Sequence, residues 1–410
     1  MLIVHGLDLS YFTGKLEGYL RAKGLPYRLQ EMDTAAFRAL ALKTGVRQMP
    51  QLELPDGRWL TDTPVIIDQL EADHPQSALT PSDPALSFLA ALIETYGDEH
   101  LWRPALYYRW AYRADAQLMS GRLADGMFRD IALPRALRRQ AALLRQRSVY
   151  LGGEGVNRAN RFRVEADYLD TLDALDKIFA RRDWLLGEAP TRADIGLFGP
   201  LFRHFACDPT PAAIMRARAP SVAGWVARLW ALKPDPSRSA ALMTRIPDDL
   251  GPLMDLIEDR FLPEMAANQQ AVSSGAARTH YIGSGVTFRY RANAYRAWRL
   301  GRLQTAYAVL DGASRRAVDG HLGPRSREIL LSAAEGDAGR NLPSHDGKVR
   351  DRWWRPLDQT PLKAARRSTP APQTLAAPWS GSGRGSQELQ TVKPARLGAR
   401  PRPGLCPERP

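Results

Sequence analysis

The stretch Met49-Pro50-Gln51-Leu52-Glu53-Leu54-Pro55-Asp56-Gly57-Arg58-Trp59-Leu60-Thr61-Asp62-Thr63 decides how the first part of the chain folds. Residues 49–54 alternate between apolar and polar, the period of a half-buried strand. Pro55-Asp56-Gly57-Arg58 is turn chemistry, because proline presets φ and glycine accepts conformations that a side chain resists. Trp59-Leu60 then returns as the second arm of a hairpin. Thr63 to Ala72 reads as a helix, with Pro64 in its first turn, where a missing N–H has no helical acceptor to lose.

Upstream, Leu2-Ile3-Val4 is a short apolar strand and His5 to Leu9 a loop. A helix follows over Thr13 to Lys23, with Leu16, Tyr19, Leu20 and Ala22 on one side and Gly24 at its end. Pro26-Tyr27-Arg28-Leu29-Gln30 starts a second strand, and Thr34 to Lys43 is a second helix. The order βαβ, then α, then ββα across residues 1–77 is a thioredoxin-like layout. A short linker leads to residues 85–235, an all-helical part with helices expected at 85–112, 115–126, 134–148, 160–180, 192–206 and 221–232. Residues 236–335 read as a helical extension, strongest over 249–274 and 291–318, with Tyr281 to Phe288 an irregular or extended insertion. The fold class expected is therefore α+β: a thioredoxin-like unit, an all-α domain and a helical C-terminal extension. Residues 340–410 are rich in proline and Gly-Ser steps, lack an apolar period and read as a disordered basic tail, in which Trp353-Trp354 is the one feature suited to docking.

Composition bounds the function. At 410 residues the chain exceeds one ordinary domain of roughly 100–200 residues. Its 44% hydrophobic and 25% charged content suits a globular core. No run approaches the ~20 apolar residues of a membrane-spanning helix, and the first residues lack a signal-peptide charge pattern. Cys207 and Cys406 are too few for a disulfide framework, so a cytoplasmic location is expected. The net charge is +13, but residues 340–410 hold 14 Lys and Arg against 5 Asp and Glu, leaving the rest nearly balanced and giving no case for specific nucleic-acid binding. His5, His100 and His204 have no metal-ligand spacing.

Several segments, in order, resemble the glutathione transferase superfamily. Ser10-Tyr11-Phe12-Thr13 lies between strand and helix, and Leu20-Arg21-Ala22-Lys23-Gly24-Leu25-Pro26-Tyr27 is similar to the family's ending of the first helix. Gln48-Met49-Pro50-Gln51-Leu52 resembles its segment with a cis proline. Asp56-Gly57 with Leu60-Thr61-Asp62-Thr63 and Ile66 resembles the hairpin that leads to the third helix. Trp184-Leu185-Leu186-Gly187 followed by Thr191-Arg192-Ala193-Asp194 resembles the signature of the second domain. The resemblance implies a cis Met49-Pro50 bond, glutathione as cosubstrate with no further cofactor, and a homodimer. Glutathione would lie along Met49 and Pro50, with its γ-glutamyl end at Asp62 and Thr63 and its glycine carboxylate near Gln48, Lys15 or Lys43. A second-domain helix carrying Tyr108 and Tyr112 would line the pocket for an apolar electrophile, although so aromatic a helix also reads as core.

The chemistry asks for a thiol held as thiolate, which a hydroxyl donor, a helix N-terminus and nearby positive charge all favour. Ser10 precedes the first helix and suits that role, or simply caps the helix. Tyr11 and Thr13 are rival donors. The absence of cysteine from residues 1–77 removes mixed-disulfide chemistry there. Thr191 and Asp194 read as a capping box rather than as catalytic groups. Conjugation, isomerisation and peroxide reduction all remain open, beside a non-catalytic protein that keeps the fold.

Overall fold

Strand β1 (Leu2–Gly6) forms the inner spine of a four-stranded sheet ordered β2-β1-β3-β4 in the computed structural model, which describes residues 1–235 and 239–332. β2 (Tyr27–Glu31) runs parallel to it with Leu2 opposite Tyr27, while β3 (Gln51–Glu53) runs antiparallel with Val4 opposite Leu52. β4 (Trp59–Thr61) completes the hairpin with Leu60 opposite Leu52. Val4 and Leu52 are fully buried together with Leu16 and Leu20 of α1 (Tyr11–Lys23) and Ile66 and Ile67 of α3 (Thr63–Asp73). Each such side chain contributes about 1.5–3 kcal/mol. A one-residue slip of β3 would turn Leu52 to the opposite face, so this burial fixes the register. α2 (Thr34–Thr44) follows β2 and is capped by Asp33.

α1 ends at Gly24, whose φ of 68° is the left-handed value expected at a helix stop. Gly18 on the same helix lets it lie against the second domain, since a Cβ there would come within 2.6 Å of the Phe198 ring.

The helical domain comprises α4 (Pro84–Thr95), α5 (Trp102–Ala111), α6 (Arg113–Asp125), α7 (Arg135–Arg145), α8 (Arg161–Phe179), α9 (Arg192–Pro200), α10 (Pro209–Arg218) and α11 (Pro220–Trp230). The single helix expected over 85–112 is interrupted by a π-type turn at Tyr96–His100. Pro104 has no N–H for the His100 carbonyl, and the backbone widens just before it. α10 has no counterpart among the helices expected from the sequence. Pro209 occupies its first turn, where a missing N–H costs nothing, and Asp115 accepts from the Thr210 N–H at 2.8 Å. At the start of α9 the capping box forms, and buried Asp194 also accepts from the Leu185 N–H (2.9 Å) and the Trp225 indole (3.2 Å).

The extension carries α12 (Gly251–Leu256), a π-type turn at Ile257–Phe261, α13 (Leu262–Ser273), then α14 (Ala294–Ala308), α15 (Gly312–Asp319) and α16 (Pro324–Leu331). It is not wholly helical. The insertion around Tyr281 is an antiparallel hairpin of β5 (Arg278–Gly283) and β6 (Val286–Arg291), which buries Tyr281, Phe288 and Tyr290 on one face. The helix expected over 291–318 is likewise two helices, because Asp311 caps a new start. All described residues belong to one contact unit. Among them no helix is long and apolar enough to cross a membrane. The basic tail, with Trp353 and Trp354, lies outside the described residues.

Candidate functional site

Ser10 is the N-cap of α1, and its Oγ accepts from the Thr13 N–H at 3.4 Å. A hydroxyl that accepts in this way keeps its own proton for a second partner. Capping and donation to a ligand are therefore compatible rather than alternatives. The turn before Ser10 is fixed from the second domain. Arg109 Nη1 donates to the Leu9 carbonyl at 2.8 Å, while the same guanidinium grips buried Asp208 at 2.7 and 2.9 Å.

Tyr11 does not share this role. Its ring is buried and its hydroxyl donates to the Gly97 carbonyl across the domain boundary. Burial raises the phenol well above its ordinary value, with Asp98 and Glu99 adding to the shift. A phenol has one proton, and here the second domain holds it. Thr13 is fully buried and its Oγ1 accepts from the Leu7 N–H at 3.4 Å. Of the three hydroxyls considered, only Ser10 is partly exposed.

The Met49-Pro50 bond is cis. Its approach is tied down by Gln51, whose Nε2 donates to the carbonyls of Val46 (2.8 Å) and Gln48 (3.1 Å). Pro50 is buried, Met49 half-buried and the Gln48 side chain exposed.

Asp62 and Thr63 stand at the start of α3, as the sequence suggests, but Asp62 does not cap the helix with its side chain. Its backbone sits at φ 71°, ψ 113°, outside the regions a non-glycine residue prefers. Its Oδ1 accepts from the Tyr295 hydroxyl of α14 at 2.7 Å, and its buried Oδ2 has no protein partner. Burial raises the Asp62 carboxyl, while Tyr295, Arg299, Lys15 and Arg302 act in the opposite direction. Thr63 is buried beside it.

The structure corrects the reading of Lys15 as a partner for a ligand carboxylate. Its ammonium is wholly buried, 2.7 Å from both Glu94 and Asp98. It opens a network through every part of the fold. Arg192 bridges Glu94 (2.7 Å) and Asp68 (2.9 Å), Arg302 meets Asp68 (2.7 Å), and Arg299 meets Asp98 (3.1 Å) and the Thr95 hydroxyl (3.0 Å). Burial opposes ionisation of Glu94, but Arg192 and Lys15 outweigh it and hold that carboxyl below its ordinary value. At Asp98 burial prevails and the carboxyl is raised. Lys43, the other lysine considered, is exposed with its ammonium 4.5 Å above the Trp59 ring.

Tyr108 follows the core reading of its helix rather than the cleft reading. It lies in an aromatic cluster inside the helical domain, stacked on Tyr112 (5.3 Å, 2°) and edge-on to Tyr168. Tyr112 is half-buried and donates to Glu165 at 3.2 Å. Phe12 of α1 stacks on Trp102 of α5 (5.8 Å, 27°), both partly exposed, and Tyr11 and His204 pack edge-on to one another and against this pair. Burial pushes the His204 imidazole well below its ordinary value, with the neighbouring Arg109 charge adding to the effect. The segment Tyr290 to Trp298 reads from sequence as packing on the helical domain or covering the cleft, which does not disclose the contact of Tyr295 with Asp62 or those of Arg299 and Arg109. The three-residue spacing of Arg296, Arg299 and Arg302 marks a charged helix face but not what it faces. Among the described residues no group of three or more His, Cys, Asp or Glu side chains is gathered as for a metal ion.

Comparison with known proteins places these features in context. A family model described as the N-terminal domain of glutathione S-transferase matches residues 4–78, and one described as its C-terminal domain matches residues 134–233. No curated protein sequence matches the chain. Similar solved structures include a glutathione S-transferase from Rhodospirillum rubrum, at 20% identity over 62% of this chain and 99% of that one, with a TM-score of 0.39. A glutathione S-transferase from Methylobacterium radiotolerans in complex with glutathione sulfonate is 23% identical over 60% of this chain and 98% of that one, with a TM-score of 0.34. A β-etherase from Sphingobium is 20% identical over 56% and 94%, with a TM-score of 0.40.

Proposed function

The chain belongs to the glutathione S-transferase superfamily, and on that premise we propose that it is a glutathione-dependent transferase whose thiol is activated by Ser10. One observation carries the reading: Ser10 alone combines a place at the N-terminus of α1, partial exposure and a hydroxyl proton not already committed to the protein. An unperturbed thiol with a pKa of about 8.5 is only a few per cent ionised at pH 7. A hydroxyl donor and the positive end of α1 both favour the thiolate over the thiol. Glutathione then lies along Met49 and Pro50 with its γ-glutamyl ammonium at Asp62, and its sulfur meets Ser10. The proton leaves to solvent, and the thiolate attacks an apolar electrophile seated against Phe12 and Trp102. We place this chemistry in a cytoplasmic homodimer, with no cofactor besides the peptide.

Titrating glutathione while following the ultraviolet band of bound thiolate tests the reading. The wild-type protein is expected to develop the band, and Ser10→Ala to lose it with a roughly 10–100-fold fall in turnover, the value of one hydrogen bond to a charged group. A second reading, a non-catalytic binding protein that keeps the fold, is favoured by the contact between the extension and Asp62. Glutathione binding without a thiolate band would support it.

A further inference from the structure

We propose that Tyr295 of the extension is a positioning residue for the γ-glutamyl end of glutathione: its hydroxyl holds one oxygen of Asp62, so that the other is kept for the ligand's ammonium. The inference rests on the glutathione reading above and assigns part of that site to a segment outside both matched domains. Three observations carry it.

First, the Tyr295–Asp62 hydrogen bond, at 2.7 Å, joins residues 233 positions apart, while Asp62 Oδ2 stays buried without a protein partner. A buried carboxylate oxygen left unpaired is costly unless something else pairs it. An ammonium supplies both the charge and the donors.

Second, Tyr295 is not free to wander. Asn293 caps α14, accepting from the Tyr295 N–H at 2.9 Å. Asn293 is itself clamped by Asn268 of α13, which accepts from its N–H (2.9 Å) and donates to its carbonyl (2.8 Å). The phenol ring packs on Trp298 at 5.4 Å.

Third, α14 is bolted to the same face turn after turn. Arg296 meets Glu99 at 3.2 Å, Arg299 meets Asp98 at 3.1 Å, and Arg302 meets Asp68 at 2.7 Å. A helix tethered at each turn is a wall rather than a lid, so Tyr295 stands in place before a ligand arrives. Pre-organisation of this kind lowers the entropy lost on binding. The charged or titratable groups that act on Asp62 are Tyr295, Arg299 and Arg302 from α14 and Lys15 from α1. Of these, Tyr295 donates the hydrogen bond.

The test compares wild-type protein and Tyr295→Phe, which keeps the ring, by calorimetric titration with glutathione and with its deaminated analogue lacking the γ-glutamyl amino group. Tyr295→Phe is expected to bind glutathione about 10-fold more weakly at pH 7, the scale of a lost hydrogen bond to a carboxylate, and to bind the analogue as the wild type does. The phenol favours the ionised carboxylate that an ammonium requires. Its removal should therefore move the acidic limb of glutathione binding to higher pH. Asp62→Asn should erase the difference between the two ligands and serves as the reference. Equal loss for both ligands, unchanged affinity, or tighter binding by Tyr295→Phe each overturns the assignment while leaving the glutathione reading intact. A folded wild-type protein that binds neither ligand at millimolar concentration overturns both.

Discussion

At the Ser10 end of the site the hydroxyl is set by bonds within its own turn and by one arginine of the second domain. At the Asp62 end the side chain is held by a helix 233 residues away, beside an ion network drawn from α1, α3, α4, α9 and α14. The first arrangement is largely local and partly exposed, the second distributed and buried. A local device can be removed with little effect on the rest of the fold. A distributed one cannot, because each buried charge depends on partners from other segments.

Lys15→Met is the severest challenge to that contrast. It leaves Glu94 and Asp98 without their shared cation, and a loss of about 3–5 kcal/mol in urea unfolding is expected. Wild-type stability with weaker glutathione binding would mean instead that Lys15 serves the ligand.

Acid should loosen the extension next. Burial favours the neutral form of Glu264, yet Arg103 outweighs it and holds this carboxyl at about 2. The folded value lies below the ordinary one of about 4.5, so the stabilisation is complete above that pH and is lost as pH falls from about 4.5 to about 2. At 1.36 kcal/mol per pKa unit the loss approaches ~3 kcal/mol. Glu264→Gln should flatten the corresponding part of an acid melting series.

Tyr11→Phe is the mildest change and sharpens the comparison from the local side. It removes the hydrogen bond to the buried Gly97 carbonyl at a cost of about 0.5–1.5 kcal/mol, yet the thiolate band should persist because the proton removed never faced the ligand. Disappearance of the band in Tyr11→Phe with Ser10 intact would reverse the assignment of the two hydroxyls.

The same contrast explains what could be read in advance. The hairpin around Asp56-Gly57, the helix after Ser10 and the capping box at Thr191 are written in spacings of two to four residues, and the structure shows all three. The cis bond came from resemblance alone, since nothing in Met49-Pro50 itself demands it. Lys15 reads as free for a ligand carboxylate because the two carboxylates that claim it lie about 80 positions downstream. Tyr108 and Tyr112 suit either cleft or core on sequence grounds because a helix face shows its spacing but not its neighbour. α10 was hidden by prolines that break a helix in the middle yet suit its first turn.

The arginine ladder on α14 also determines how the molecule divides. Asp68, Asp98 and Glu99 all precede residue 235, but part of their neutralising charge is lent by the segment after it. Severing the chain near residue 235 would therefore yield not a smaller edition of the same protein but one with an acidic wound along its flank. What resembles an appendage is, electrically, part of the trunk.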